Sequence, residues 1–259
     1  MAHVAVLGSG PAGLLAALAV ERAGHDVHLY AVGQKSEMFG AMFLHRWIPE
    51  ITNNRYNFKI TFIKEGTREG YAFNVYGDES APCSWDAFPN GELPAWSLSR
   101  AYDKLWERFG GRVTPIRITV DTMAILLNNW EYVFSTIPAN TICAHPKVHT
   151  FKSQPIWIEH GPATAERNVV IYNGRILDPK IWYRYSLIEG YRAWEYSNPK
   201  LETGDVDLKL SEGIKPLSTT CDCWTGFQGF HRLGRFGRWE KGILTHHAYE
   251  EAERICNEM

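Results

Sequence analysis

The stretch that decides the fold is HVAVLGSGPAGLLAALAVERAG, residues 3–24. Its apolar start predicts a buried strand at His3–Leu7, and the Ala- and Leu-rich part after the glycines predicts a helix at Ala12–Ala23. Gly24 ends that helix, and a second strand is predicted at Asp26–Tyr30. The order strand, glycine-rich turn, helix and strand is that of the first unit of a dinucleotide-binding fold.

The glycines follow the spacing Gly8-x-Gly10-x-x-Gly13. In this pattern the first glycine permits a tight turn and the second lets a pyrophosphate approach the backbone. The third lets the helix pack closely on the strand, with the helix N-terminus facing the anion. The alternative is a glycine-rich turn without a ligand. The loop residues that we predict to bind the cofactor are Gly8, Ser9, Gly10, Pro11, Ala12 and Gly13.

The ribose end of the motif departs from the usual pattern. An acidic residue commonly ends the second strand and binds the ribose, whereas this chain has Ala31 there. The polar residues that follow could bind the ribose hydroxyls instead: Gln34, Lys35 or Ser36. Of these, Lys35 is the residue that we predict to contact the cofactor. Lys35 and Ser36 equally suit a 2′-phosphate, so NADP is retained as an alternative to FAD.

A second cofactor signal lies near the C-terminus. Gly234-Arg235-x-Gly237-x-Trp239 leads into an amphipathic helix predicted from about Gly242 to Cys256, with Ile243 at its start. Arg235 suits charge-assisted hydrogen bonds to phosphate, and a helix N-terminus stabilises negative charge. The alternative is a basic surface hairpin followed by a closing helix.

The strand predicted within 131–140 ends in Thr136-Ile137-Pro138. This turn, the Pro11-Ala12 form of the glycine loop and the Gly234-Arg235 motif together resemble the flavin amine oxidase and UDP-galactopyranose mutase superfamily. The resemblance implies FAD as the cofactor, and places Thr136, Pro138 and the C-terminal motif beside it. It also implies that the segment after the second strand passes near the flavin, which makes Gly40 and His45 candidates.

The same resemblance implies an α/β fold with a Rossmann-like FAD-binding domain and a smaller sheet-rich substrate lobe. We expect the chain to alternate between the two lobes. The FAD-binding lobe takes residues 1–55, 113–150 and 218–259. The substrate lobe takes residues 56–112 and 151–217.

Between the motifs, the sequence pattern predicts several further elements. Tyr56–Gly66 is predicted as a strand, and the following GYAFNVYGD as a second strand or a short helix. The Pro-, Gly- and Ser-containing stretch 78–96 is predicted as an irregular connection. Leu98–Gly111 is predicted as a helix capped by Ser99, residues 112–120 as a strand and residues 119–130 as a helical turn. Residues 200–216 are predicted as a surface loop or an edge hairpin.

In the substrate lobe, WYRYS (182–186) alternates aromatic and polar residues. Strand geometry would put Trp182, Arg184 and Ser186 on one face, and Tyr183 and Tyr185 on the other. Such a wall suits a flat ligand, although aromatic strands are also common in sheet cores. Our candidates for substrate contacts are His45, Tyr183, Arg184 and His247, with Arg184 as partner for a carboxylate or phosphate.

The bulk composition excludes some classes of protein. A net charge of −2 gives no general attraction to nucleic acid, and no apolar run approaches the roughly 20 residues of a membrane span. The short apolar N-terminal run is not a signal peptide, and five scattered cysteines fit a reducing compartment. We therefore expect a cytoplasmic protein, in the host cytoplasm if it is phage-encoded.

Two other sites were weighed against the flavin site. Cys221-x-Cys223 with Cys143, His145 and His149 contains zinc-ligand chemistry, but the Cys-x-Cys spacing is unusual for zinc, so we expect no metal. The arginines 232, 235 and 238, interleaved with aromatic residues, are also compatible with a surface for single-stranded nucleic acid. Assigning Arg235 to FAD weakens that second interpretation.

The sequence thus predicts an FAD-dependent enzyme, and the resemblance indicates an amine or amino-acid-type substrate oxidised at carbon next to nitrogen. A modified nucleobase is an alternative substrate, since small flavoproteins of this appearance resemble phage enzymes that process amino-acid-modified thymine in DNA. A redox-neutral reaction of the mutase type and a non-catalytic flavin-binding module are the other hypotheses.

Overall fold

The computed structural model describes residues 1–52, 57–164, 167–175, 182–198 and 207–259. It contains a five-stranded sheet and an eight-stranded sheet, with helices packed mainly on the first. The predicted α/β class, with a Rossmann-like parallel sheet and a second sheet-rich lobe, is confirmed. Tyr56, the predicted 55/56 lobe boundary and residues 200–206 of the predicted loop or hairpin lie outside the described residues.

The strands in chain order are β1 (His3–Leu7), β2 (Asp26–Ala31), β3 (Phe43–Leu44), β4 (Asn57–Gly66), β5 (Gly91–Ser97), β6 (Val113–Pro115), β7 (Tyr132–Ser135), β8 (Phe151–Pro162), β9 (Asn168–Gly174), β10 (Arg184–Ile188), β11 (Tyr191–Tyr196), β12 (Lys209–Thr219) and β13 (Phe230–Arg232). The helices are α1 (Pro11–Arg22), α2 (Arg68–Tyr76), α3 (Leu98–Phe109), α4 (Val120–Asn129), α5 (Gly234–Arg238) and α6 (His247–Cys256), with short 3₁₀ turns at Gly110–Arg112 and Ala139–Ile142.

The first sheet has the strand order β13-β7-β1-β2-β6, and every pair in it is parallel. The central strand β1 is apolar and fully buried from Val4 to Leu7 because helices cover both faces of the sheet. Helices α1, α3 and α6 share one core on one face, and α4 packs with Ile118 on the other. Contact between α6 and α1 brings the C-terminus back onto the glycine loop's own helix.

The second sheet has the order β12-β8-β11-β10-β9-β4-β5-β3, antiparallel except between β4 and β9. The chain crosses between the two sheets after β2, β5, β7 and β12. No helix in the described part of the chain combines the length and apolar character that a membrane span needs.

Some predicted elements are corrected by the structure. Of the two alternatives for GYAFNVYGD, the short helix is confirmed, because the segment lies largely in α2. The end of the predicted irregular connection instead forms β5, which pairs with β4. Helix α3 is capped by Ser97, whose Oγ accepts a hydrogen bond from the Arg100 N–H at 3.3 Å, and not by Ser99. The predicted strand at 112–120 is reduced to β6, because Thr119 and Thr122 form a capping box that starts α4 as a full helix.

Two further corrections concern the site. The alternation predicted for WYRYS begins only at Arg184, so Tyr183 and Arg184 both reach the carboxylate of Glu195, and Trp182 instead contacts the ring of Tyr185. The C-terminal helix begins at His247 rather than near 242. Gly242 has φ +87°, a left-handed conformation that interrupts a helix, and residues 243–246 form a wall of the cavity described next.

Candidate cofactor and substrate site

A cavity of about 670 Å³ lies at the carboxyl edge of the parallel sheet, where ligands bind in open α/β folds. Residues that directly follow β1, β2, β6 and β7 line it, and Arg235 reaches it from the start of α5, just after β13. The predicted site residues that line this cavity are Gly8, Ser9, Gly10, Pro11, Ala12, Gly13, His45, Thr136, Pro138, Arg184, Arg235 and Ile243.

The three motif glycines are required for different reasons. Gly8 has φ +106°, and its N–H donates to the Tyr30 carbonyl at 2.9 Å. A Cβ on Gly13 would stand 2.0 Å from the Gly8 carbonyl oxygen, so helix and loop touch there. A Cβ on Gly10 would meet nothing within 4 Å and would project into open space. Gly8 and Gly13 therefore serve the fold, while Gly10 keeps room in the cavity.

The N-terminus of α1 opens onto the same space. Its N-cap is Gly10, which has no side chain to accept from the first N–H groups, and Pro11 starts the helix. The first turn contains no acidic residue. Unsatisfied N–H groups and the positive end of the helix dipole favour an anion at this position.

Of the three polar residues considered for the ribose, two line the cavity and Lys35 does not. Gln34 and Ser36 line the cavity, and Ser36 is held because its N–H donates to the Tyr102 hydroxyl at 3.0 Å. Tyr102 in turn donates to the Ser9 carbonyl at 2.9 Å, which ties this segment to the glycine loop. Lys35 points away from this cavity, lines a different one and pairs with Asp103 on α3.

Four of the predicted cofactor residues do not line the cavity but pack against other parts of the fold: Gly40, Gly234, Gly237 and Trp239. An added Cβ on Gly40 would lie 3.4 Å from Glu195 Oε1, one on Gly234 would lie 3.1 Å from Ala12, and one on Gly237 would lie 2.3 Å from the Ser135 carbonyl oxygen. Trp239 is buried, and its indole N–H donates to the Lys152 carbonyl at 2.9 Å.

A charge cluster centred on the buried carboxylate of Glu195 stands at the end of the cavity next to the eight-stranded sheet. Glu195 Oε2 accepts from the Tyr183 hydroxyl at 3.0 Å and from Lys215 Nζ at 2.7 Å, and its Oε1 accepts from Arg184 Nε at 2.8 Å. Lys215 also donates to the Tyr183 hydroxyl at 2.6 Å. We call Tyr183, Arg184, Glu195 and Lys215 the Glu195 cluster. Arg184 lines the cavity, and Tyr183 lies buried behind it.

The cluster carries more positive than negative charge. Burial would raise the pKa of Glu195, but Arg184 and Lys215 outweigh it and lower this pKa to about 2. Burial lowers the pKa of Lys215 to about 8, although Glu195 acts in the opposite direction. Burial and the charge of Arg184 lower the pKa of Arg235, which lines the cavity nearby. Below pH 8, the cluster itself thus carries two cations and one carboxylate, and Arg235 adds a third cation beside it.

Two histidines face the cavity beside this cluster. Burial, with the charges of Arg184 and His247, lowers the pKa of His45. Burial lowers the pKa of His246 to about 3, and its Nδ1 is buried without a hydrogen-bond partner in the described structure. Both rings are therefore neutral at neutral pH, and the Nδ1 of His246 is enclosed by protein rather than open to the cavity.

His247, our predicted substrate contact, does not line the cavity. Its Nδ1 accepts the Leu244 N–H at 3.1 Å, so it stabilises the turn that presents Leu244, Thr245 and His246. Sequence patterns did not single out these residues, nor Ile116–Ile118 after β6. The order of parallel strands could have indicated the latter, because every strand of such a sheet ends at the same edge.

No protein-family model matches the sequence, and no curated protein matches it. Solved structures do share the fold. A reduced UDP-galactopyranose mutase superimposes with a TM-score of 0.59 at 12% identity, covering 100% of this chain and 93% of that one. CtdE, crystallised with FAD and a substrate, gives 0.57 at 12% identity, covering 100% and 81%. HpxO of Klebsiella pneumoniae, crystallised with FAD and uric acid, gives 0.51 at 12% identity, covering 99% and 79%.

Proposed function

We propose that this protein is an FAD-dependent enzyme that oxidises a small amine carrying an anionic group, of the amino-acid type, at its C–N bond. One observation carries the proposal: a single cavity joins the glycine loop and α1 N-terminus to the positively charged Glu195 cluster. Its volume of about 670 Å³ lies within the range of cofactor and ligand sites.

The residues present fit FAD. The open space over Gly10 and the uncapped N-terminus of α1 suit the pyrophosphate, and Gln34 and Ser36 stand where a ribose would bind. Thr136, Pro138 and the wall formed by residues 243–246 remain for the ring end. FAD supplies a hydride acceptor when bound.

The protein's own groups would act on the substrate in two ways. Arg184 offers a guanidinium to a substrate carboxylate, and Arg235 and Lys215 add further positive charge around it. The same positive field lowers the pKa of a bound ammonium group, because like charges disfavour the protonated form. The site would therefore hold the carboxylate and favour the free amine, the form that can lose a hydride from the adjacent carbon.

The neutral histidines fit this assignment. His45 and His246 add no charge near the amine, and the ring of His45 offers one donor and one acceptor for orientation. Phe43 and Phe236 line the cavity and supply apolar surface to a side chain or to a base. An amino-acid-modified thymine is consequently a substrate to test alongside free amino acids, although the net charge of −2 provides no general attraction for DNA.

A redox-neutral reaction of the mutase type is the second candidate. Arg184 and Arg235 on one cavity wall would suit a diphosphate as well as a carboxylate. A sugar nucleotide would then occupy the same end of the cavity.

The experiment that tests the proposal is anaerobic mixing of the FAD-loaded protein with a substrate panel. The panel contains amino acids, their decarboxylated amines, an oligonucleotide with amino-acid-modified thymine, and a sugar nucleotide. We expect the flavin absorbance to bleach with carboxylate-bearing amines and much less with the decarboxylated ones. Arg184→Lys should raise KM for the carboxylate substrate at least tenfold, while Arg117→Lys, at the other end of the cavity, should not.

The other outcomes have defined meanings. Turnover of the sugar nucleotide only after dithionite reduction, with no bleaching by amines, would favour the redox-neutral candidate. Flavin that dithionite reduces normally, but that no member of the panel reduces or uses, would contradict the proposed amine oxidation.

A further inference from the structure

Three cysteines and a histidine meet outside the FAD cavity. Cys143, His149, Cys221 and Cys223 place one ligand atom each within 4.8 Å of all the others. We call these four residues the Cys₃His cluster. All three cysteines are free thiols and buried, and His149 is half-buried. The sequence favoured no metal here because of the Cys-x-Cys spacing, and that expectation is revised by this convergence.

The distances within the cluster match a tetrahedral site. Zinc with Zn–S of about 2.3 Å and Zn–N of about 2.0–2.1 Å implies ligand separations of about 3.8 Å for S···S and 3.6 Å for S···N. The Sγ atoms of Cys143 and Cys223 are 3.9 Å apart, and His149 Nδ1 lies 3.3 Å and 3.5 Å from them. His145, the other histidine considered from the sequence, is not part of the cluster.

The surroundings complete a metal centre. His149 Nε2 lies 3.4 Å from the Asp222 carboxylate, the arrangement that orients a histidine ligand through its second nitrogen. Arg232 donates to the Cys221 Sγ at 3.2 Å and to the carbonyls of Cys221 and Cys223 at 2.7 and 2.9 Å. Three thiolates and Zn²⁺ carry a net charge of −1, which the guanidinium of Arg232 balances.

The topology indicates which parts of the chain a metal at the cluster would hold together. Residues 136–150 connect β7 to β8 and contain Cys143 and His149, and residues 220–229 connect β12 to β13 and contain Cys221 and Cys223. Both segments pass from one sheet to the other, so the cluster joins the two crossovers side by side. The first crossover begins with Thr136, which lines the FAD cavity.

We propose that Cys143, His149, Cys221 and Cys223 bind one structural Zn²⁺ that fastens these crossovers together. Four protein ligands leave no open position, which is typical of a structural rather than a catalytic zinc site. Tetrahedral sulfur and nitrogen ligands also suit iron, so the metal's identity is part of the test.

The test is the metal content of protein purified with a histidine-free tag, measured by inductively coupled plasma mass spectrometry. We expect about one zinc per chain in the wild type and in Cys83→Ser, a cysteine outside the cluster. Cys223→Ser and Cys143→Ser should each lose most of it. Full zinc retention in both cluster variants, or a wild type that holds no metal after growth in zinc-supplemented medium, would overturn the proposal.

A second measurement needs no variant and so does not depend on the variants' folding. X-ray absorption at the zinc edge of the wild type should give three sulfur neighbours at about 2.3 Å and one nitrogen at about 2.0–2.1 Å. A shell of oxygen and nitrogen only, bound iron in place of zinc, or a disulfide among the three cysteines would contradict the assignment. Neither measurement depends on flavin binding.

Discussion

The sharpest test of the glycine loop is Gly10→Ala, because the structure separates its effect on the fold from its effect on a ligand. Gly10 has φ −70° and ψ 173°, which alanine adopts without strain, and its Cβ would meet nothing within 4 Å. The apoprotein should therefore be as stable as the wild type or gain about 0.4–1 kcal/mol, because alanine reduces the freedom of the unfolded chain.

The ligand should respond in the opposite direction. The new methyl group occupies space that a pyrophosphate needs in order to reach the N–H groups at the start of α1. Losing one or two hydrogen bonds to a charged group, at about 1.5–3 kcal/mol each, costs on the order of 3 kcal/mol, or roughly a hundredfold in Kd for FAD. Titration of the apoprotein with FAD, followed by flavin fluorescence, measures this change, and urea unfolding measures the stability.

Two matched variants complete the experiment. Gly111→Ala, also without a neighbour within 4 Å of its Cβ but remote from the cavity, should change neither quantity by much. Gly13→Ala, with a Cβ 2.0 Å from the Gly8 carbonyl, should lower apoprotein stability by on the order of 3 kcal/mol. If Gly10→Ala bound FAD as tightly as Gly111→Ala does, the loop would not be the pyrophosphate site.

Four further predictions concern the charge cluster and His246. Glu195→Gln removes the buried carboxylate that pairs two half-buried cations, so urea unfolding should show a loss of about 3 kcal/mol, the lower end of the range for a buried ion pair, against less than about 1 kcal/mol for Glu92→Gln at an exposed pair. The pKa of Glu195 is about 2 in the folded protein and about 4.5 in the unfolded chain, so its ionised form stabilises the fold. The wild type should therefore lose this stability as pH falls from about 4.5 towards 2, and equal acid sensitivity in Glu195→Gln would contradict this. KM for a carboxylate substrate should rise as pH increases through about 8, because Lys215 then loses its proton. Lys215→Met should flatten this pH profile of KM, and a variant with the same profile as the wild type would refute the role of Lys215. His246→Phe should leave the free energy of unfolding of the apoprotein, measured in urea, within about 1 kcal/mol of the wild type, because the ring is neutral and its buried Nδ1 has no partner within the described residues; a loss above about 2 kcal/mol would contradict this.

The local part of this fold was predictable from short sequence patterns. Glycine spacing and apolar runs indicated β1, α1 and β2, because turn geometry and helix packing act within about 25 residues of chain. The predicted place of Arg235 at the cavity also agrees with the structure, since parallel strands end at one edge. What the pattern could not show is which residue of the 243–247 segment faces inward, because the turn there is set by Gly242 and by the Leu244–His247 hydrogen bond.

The long-range parts were not readable from the sequence. Lys215 comes from β12, which meets β11 only through β8, so nothing local marks it as a partner of Glu195. Arg184 and Glu195, by contrast, face each other across the β10–β11 hairpin, a local pairing that its two-residue turn, Glu189-Gly190, could have indicated. Lys35 looked available for a ribose, but Asp103 on α3 pairs with it. The Cys₃His cluster forms for the same reason, because two crossovers 70 residues apart lie side by side, as in the contact of Thr150 with Thr220. Spacing rules for metal sites within one loop do not apply to such an arrangement.

The most direct measurement of the central claim is the absorbance spectrum of freshly purified protein, with mass spectrometry of the cofactor released on denaturation. We expect a yellow protein with the two bands of oxidised flavin, and FAD released at about one per chain. A colourless protein that also takes up no FAD on reconstitution would contradict it.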